Sequence, residues 1–124
     1  MKRNYIVKVT KNSRKFLLVE FDSSGCQSLS NFLNSEVHNF YPHIYKELEA
    51  VVTGQKEESD FAGNLLGVEI GKEITEVYFQ FEEEILGGPC FIPTNELYKL
   101  VLEWKEMEGK MYRGEDIFPL MIED

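Results

Sequence analysis

Hydrophobic and polar positions first alternate near the N-terminus, where Tyr5, Val7 and Val9 share one face of a short segment and Leu17, Val19 and Phe21 share one face of the next. A repeat of two is the strand repeat. Lys11-Asn12-Ser13 lies between the two segments and supplies turn chemistry, so the pattern predicts an antiparallel β-hairpin. Asp22-Ser23-Ser24-Gly25 predicts a polar turn, and Leu29, Phe32 and Leu33 then fall at i, i+3 and i+4, which suits a short helix although a strand also fits. Pro42 suits the first position of a helix, where its missing N–H has no intrahelical partner to lose. Ile44, Tyr45, Leu48, Val51 and Val52 continue an apolar stripe that stops at Gly54, and this predicts a helix over 42–53.

Gln55 to Gly63 is polar and acidic and reads as a loop. Leu66, Val68 and Ile70 alternate with Gly67 and Glu69, and Gly71-Lys72 supplies a turn. Ile74 to Phe81 then sets Val77, Phe79 and Phe81 on one face against Glu76, Tyr78 and Gln80 on the other, which completes a second hairpin. After Glu82-Glu83-Glu84 and Gly87-Gly88-Pro89 comes a short segment, Cys90-Phe91-Ile92. Thr94 has the chemistry of an N-cap, and Leu97, Leu100, Val101, Trp104 and Met107 repeat at helical spacing, predicting a helix over 94–108 closed by Gly109. The tail, 110–124, carries Tyr112, Ile117, Phe118, Leu120, Met121 and Ile122, too many apolar residues for a free end, so it is expected to dock on the body or form an edge strand. The order of elements describes a single α+β domain with antiparallel hairpins, about 4–5 strands and two main helices.

Composition sharpens this picture. At 124 residues, with 43% hydrophobic and 13% aromatic residues, the chain can fill one core and has no room for a second domain. Its 22 acids and 13 Lys and Arg give −9 at pH 7, unevenly spread. The first fifteen residues hold Lys2, Arg3, Lys8, Lys11, Arg14 and Lys15 and no acid, so the remainder carries −15. That balance disfavours a surface that binds nucleic acid or anionic membrane as a whole. No stretch approaches the ~18–20 apolar residues that cross a bilayer, and Met1-Lys2-Arg3 runs into Asn4-Tyr5 without a signal-peptide core. A cytoplasmic protein is expected, with Cys26 and Cys90 as two buried thiols.

Few residues of the chain are arranged for chemistry. His38 and His43 are candidates for a general base, but no orienting partner is visible. Cys26, His38, His43 and Cys90 lack the paired short spacings of a zinc site, and Glu57-Glu58-Ser59-Asp60 lacks the alternating ligands of a calcium loop. No nucleophile elbow or phosphate-binding glycine loop is present, and the aromatics around Phe79 and Phe81 are bordered by acids where a nucleic-acid platform needs cations. The expectation is a chain with no catalytic residues, metal or cofactor. An acidic domain of this kind is suited to covering a basic surface on another protein.

The stretch from Phe61-Ala62-Gly63-Asn64-Leu65-Leu66-Gly67-Val68-Glu69-Ile70 through a second strand and an acidic loop to Ile92-Pro93-Thr94-Asn95-Glu96-Leu97 and on to Trp104 resembles small bacterial immunity proteins of polymorphic or contact-dependent growth-inhibition toxin systems. The likeness covers roughly residues 60–108 and lies in the arrangement of segments, so it carries no site residue with it. It implies a cytoplasmic protein that neutralises a cognate toxin by binding it, a basic nuclease domain being one such toxin. Charge and aromatic content supply the candidate contacts: Glu57, Glu58 and Asp60 in one segment, Glu82, Glu83 and Glu84 in another, and Tyr78 as an aromatic anchor. The alternative is a nucleic-acid-binding module using the basic N-terminal hairpin, with Tyr5 and the six cations as its contact face. Catalysis by His38 and His43 ranks third, and the apolar tail or an unpaired hairpin edge offers a route to a homodimer.

Overall fold

In the computed structural model, which describes residues 1–22 and 26–124, the first hairpin forms as its alternation requires: β1 (Arg3–Val9) pairs antiparallel with β2 (Lys15–Phe21). The turn expected at 22–25 lies outside the described residues except for Asp22. Tyr5 faces Val19 and Val7 faces Leu17 across the pair, so the apolar face read from the sequence meets the core except at Val9, which is exposed. Arg3 stands on that face too, opposite Phe21, and is buried.

The short helix that Leu29, Phe32 and Leu33 suggest forms, and it runs on into the helix expected to start at 42. Helix α1 (Gln27–Asn31) runs into a π-helical stretch, Phe32–Val37, and then into α2 (His38–Val52). Pro42 therefore sits inside a helix. The kink that accommodates it falls at Phe40, whose φ/ψ of −129°/29° leaves the helical region two residues earlier. Leu29, Phe32, Leu33, Val37, Ile44 and Leu48 are all fully buried along this run. Asn34, in the π-helical stretch, docks on the edge of β2 like another strand: its Oδ1 accepts from Val19 N at 2.8 Å and its Nδ2 donates to Val19 O at 3.2 Å. Gly54, with φ of 82°, ends α2 in the left-handed conformation expected of it.

The acidic segment read as a loop contains a strand, β3 (Ser59–Ala62), which pairs with β4 (Leu66–Ile70) in the register Phe61 to Val68. β4 pairs with β5 (Ile74–Phe79), and β5 with β6 (Cys90–Pro93), giving the order β3-β4-β5-β6. β5 stops at Phe79, so Phe81, expected to pack inward, is exposed. Glu83–Leu86 forms a short helix, α3, where the sequence suggested only a strand end.

Helix α4 (Thr94–Tyr112) buries the predicted stripe of Leu97, Leu100, Val101, Trp104 and Met107, and adds Met111. It runs through Gly109, and Gly114, with φ of 75°, follows its end. Thr94 is not the N-cap: Pro93 holds that position, while the Thr94 hydroxyl donates to Gly71 O at 2.6 Å and meets Thr75 Oγ1 at 2.8 Å. The hydroxyl is thus used to hold the β4–β5 turn against the helix start. The tail forms β7 (Leu120–Ile122), paired antiparallel with β1, so the first sheet has the order β2-β1-β7. Ile117, Phe118, Leu120 and Ile122 pack against the core.

Among the described residues there are seven strands in two antiparallel sheets, an α+β fold. Helices α1 and α4 each touch both sheets, so one hydrophobic core joins them, with Trp104 and Tyr5 its largest fully buried side chains. Each large apolar side chain so buried contributes on the order of 2–3 kcal/mol. No described helix is long and apolar enough to cross a membrane.

Candidate functional site

Strands β3 to β6 bury one face and expose the other. Phe61, Val68, Val77, Cys90 and Ile92 point inward, and between them the strands turn Asp60, Glu69, Glu76 and Phe91 outward. The pairing places these four outward residues in one line: Asp60 opposite Glu69, Glu69 opposite Glu76, and Glu76 opposite Phe91. Three carboxylates thus stand side by side on adjacent strands. Like charges directly opposite one another in a sheet are destabilising. Among the described residues, none of these three acids takes part in a salt bridge.

Apolar side chains flank the line. Phe91 is 64% exposed and Ile74 48% exposed, and both border a shallow concavity of about 510 Å³ that Glu58, Asp60, Glu69 and Glu76 also line. Tyr78 occupies the next position along β5, opposite Gly67, and its ring lies over that glycine: a Cβ on Gly67 would come within 2.7 Å of the Tyr78 hydroxyl. Gly67 therefore leaves the room that the hydroxyl end of the ring occupies. Partial burial raises the Tyr78 pKa above its ordinary value of 10.0, and the charges of Glu69, Asp60 and Glu76 raise it further. The phenol therefore stays a neutral hydrogen-bond donor beside three carboxylates.

Of the acids singled out in the sequence, Asp60 and Glu58 reach this face, and exposed Glu57 precedes them in the chain. Glu82, Glu83 and Glu84 do not join them. They lie beyond the end of β5 that pairs with Leu66, whereas the concavity sits at the end closed by Gly71 and Ile74. There Glu82 is the N-cap of α3 and Glu83 and Glu84 form its first turn, beside the exposed Phe81 and Ile85. Glu69, Glu76 and Phe91 were missed because single acids alternating with apolar residues look like any solvated strand face. The Gly71-Lys72 turn held the signal that could have found two of them, since a hairpin closed there pairs Ile70 with Thr75 and so sets Glu69 against Glu76.

Of the contact face that the alternative reading needs, Tyr5 and Arg3 are drawn into the core, while Lys2, Lys8, Lys11, Arg14 and Lys15 are exposed. Tyr5 is fully buried and its hydroxyl donates to Glu103 Oε1 at 2.7 Å. Arg3, 4% exposed, spends its guanidinium on Glu103, at 2.6 Å from both Nε and Nη2, and on Asp124 at 2.7 Å. The Glu103 carboxylate, more than any other group, raises the Arg3 pKa further, and the Arg3 hydrogen bond in turn holds the Asp124 carboxyl below its ordinary 3.8.

The two histidines do not converge either. His38 Nδ1 lies 2.7 Å from Glu108 Oε2 and its ring meets Trp104 edge-on, whereas His43 packs edge-on against Phe61. Among the described residues, no three His, Cys, Asp or Glu side chains are grouped as metal ligands would be.

Comparison with known proteins bears on the same chain. No family model matches it, and no solved structure matches it significantly. A Bacillus cereus protein named an immunity protein is 31% identical over 88 residues, which span 71% of this chain and 75% of that protein. At that identity and coverage, the chain belongs to the immunity-protein family.

Proposed function

We propose that this chain neutralises a cognate toxin by binding it, without catalysis, and that it does so by laying the outer face of the β3–β6 sheet over a cationic groove on the toxin. The observation that supports this most is the line Asp60, Glu69 and Glu76: three unpaired carboxylates in cross-strand register, an arrangement that weakens the sheet and gains a favourable partner only when cations approach. A nuclease domain fits this face best, because a groove that holds a phosphate backbone must be lined with Lys and Arg. A nuclease toxin of a polymorphic or contact-dependent growth-inhibition system, met in the cytoplasm, is the partner this reading names.

The residues divide the work. Asp60, Glu69 and Glu76, with Glu57 and Glu58 at the edge, attract and orient the toxin, an effect expressed mainly in the association rate. Phe91, Ile74 and Tyr78 supply the desolvated contacts that hold it, since aromatic side chains dominate binding energy at protein interfaces. Glu82, Glu83 and Glu84, at the far end of the sheet, extend the attracting field.

Co-expression tests the reading. The wild-type chain is expected to rescue growth from the toxin encoded beside it and to co-purify with it, and a variant carrying Asp60→Asn, Glu69→Gln and Glu76→Gln is expected to rescue growth less well. Rescue by the triple variant equal to wild type would remove the acidic face from the mechanism, and failure of the wild type would remove the function.

A further inference from the structure

Cys26 immediately precedes α1 and Cys90 opens β6. The chain between them is 64 residues long in separation, yet the fold brings their Sγ atoms to 2.8 Å. Both are free thiols. Helix α1 packs on β5 and β6, so this approach belongs to the packing of the core and not to a chance meeting of surface loops. Two sulfurs become bonded at about 2.05 Å. The remaining gap is therefore less than about 1 Å.

We infer that Cys26 and Cys90 are a thiol pair built to close into a reversible intramolecular disulfide on exposure to a low-molecular-weight disulfide such as oxidised glutathione. The two sulfurs have different parts. Cys26 is partly exposed and can be reached from solvent, whereas Cys90 is 5% exposed. Burial, and then the hydrogen bond with Cys26, raises the pKa of Cys90 and keeps it a thiol until its partner is activated. In the first step Cys26 gives its proton to solvent and its sulfur bonds to one sulfur of oxidised glutathione. The glutathione S–S bond breaks, and one glutathione leaves and takes up a proton. In the second step Cys90 gives up its proton and its sulfur attacks the Cys26 sulfur, so the mixed disulfide breaks and the second glutathione leaves protonated. Two protein thiols are oxidised and one glutathione disulfide is reduced to two thiols. The bond ties the start of α1 to β6, the strand whose next residue, Phe91, stands on the outer sheet face.

The test uses the full native chain and does not depend on any toxin. After incubation with oxidised glutathione, intact mass should show the loss of two hydrogens on a monomer. Alkylation with N-ethylmaleimide under denaturing conditions should label neither cysteine, and a phosphine reductant should restore both labels. In a Cys90→Ser variant the reaction should stop after the first step, leaving a stable glutathione adduct on Cys26. Two alkylatable thiols after oxidation, a lasting glutathione adduct on the wild type, a disulfide-linked dimer, or no adduct on Cys26 in the variant would each overturn the inference.

Discussion

The Glu36 carboxylate lies so close to Gly63 that a Cβ placed on that glycine would sit 1.2 Å from Glu36 Oε2. Glu36 is fully buried in the π-helical stretch, and its two oxygens accept from the backbone N–H groups of Asn64 at 2.8 Å and Leu65 at 3.3 Å. A helical side chain thus caps the β3–β4 turn, and the glycine makes the space for it. Gly63→Ala is expected to destabilise the fold by about 1–3 kcal/mol through overpacking. Glu36→Ala should cost roughly 2–3 kcal/mol by removing the charged acceptor of two backbone N–H groups. Because both changes act on one contact, Gly63→Ala should cost much less when Glu36 is already Ala. Urea unfolding of the two single variants and the double variant measures this, and strict additivity would contradict it.

Glu103 joins both ends of the chain by holding Arg3, which also holds Asp124, and by accepting from Tyr5. Its removal leaves a buried guanidinium without its main partner. Glu103→Ala is expected to cost about 3 kcal/mol, near the range for breaking a buried ion pair. Hydrogen exchange should show β1 and β7 losing protection before the β3–β6 sheet does. Uniform loss across both sheets would contradict a local role.

Low pH should weaken the contact between α2 and β3. Glu47 Oε1 receives Lys56 Nζ at 2.8 Å and the Ser59 hydroxyl, and these bonds, Lys56 first, hold its pKa below the ordinary 4.5. A carboxyl with a lowered pKa in the folded state favours folding fully above its unfolded value, and that contribution fades as pH falls through the lowered value. Melting temperature measured from pH 6 downward should therefore drop more steeply for the wild type than for Glu47→Gln, with the difference opening below about pH 4.5. Parallel curves would rule out this contribution.

The acidic line makes an opposite pair of demands on stability and binding. Neutralising Glu69 as Glu69→Gln removes repulsion from both Asp60 and Glu76. It should raise stability by about 0.2–1 kcal/mol, the scale of a cross-strand pair. Added salt should do the same for the wild type and less for the variant, because the Debye length shrinks to about 10 Å at 0.1 M. A destabilised Glu69→Gln variant would mean that the carboxylate has a structural partner after all.

Where local pattern and tertiary packing agree, the fold can be read in advance. The pairing of β1 with β2 and the inward face of Tyr5, Val7, Leu17 and Val19 follow from alternation and the turn between them, and the buried face of α4 from its helical stripe. β3 was hidden because only Phe61 marks its inner face, between Asp60 and Ala62, and the strand exists by virtue of its pairing with β4. The short helix around Leu29, Phe32 and Leu33 was legible, but its junction with the helix over 42–53 was not, because Pro42 resembles a helix start and the two segments join only where the run packs against both sheets. Of the candidate contacts, Glu58, Asp60 and Tyr78 were legible as charge and aromatic content. Their neighbours Glu69, Glu76 and Phe91 become visible only when strand register turns separate acids into a line.

Binding kinetics with the purified toxin domain, wild type against the Asp60→Asn, Glu69→Gln, Glu76→Gln variant at low and high salt, test the acidic face most directly. The expected result is an association rate for the wild type that is at least about tenfold faster at low salt and converges with that of the variant as salt screens the field. Equal rates at every salt concentration, with equal affinity, would contradict it.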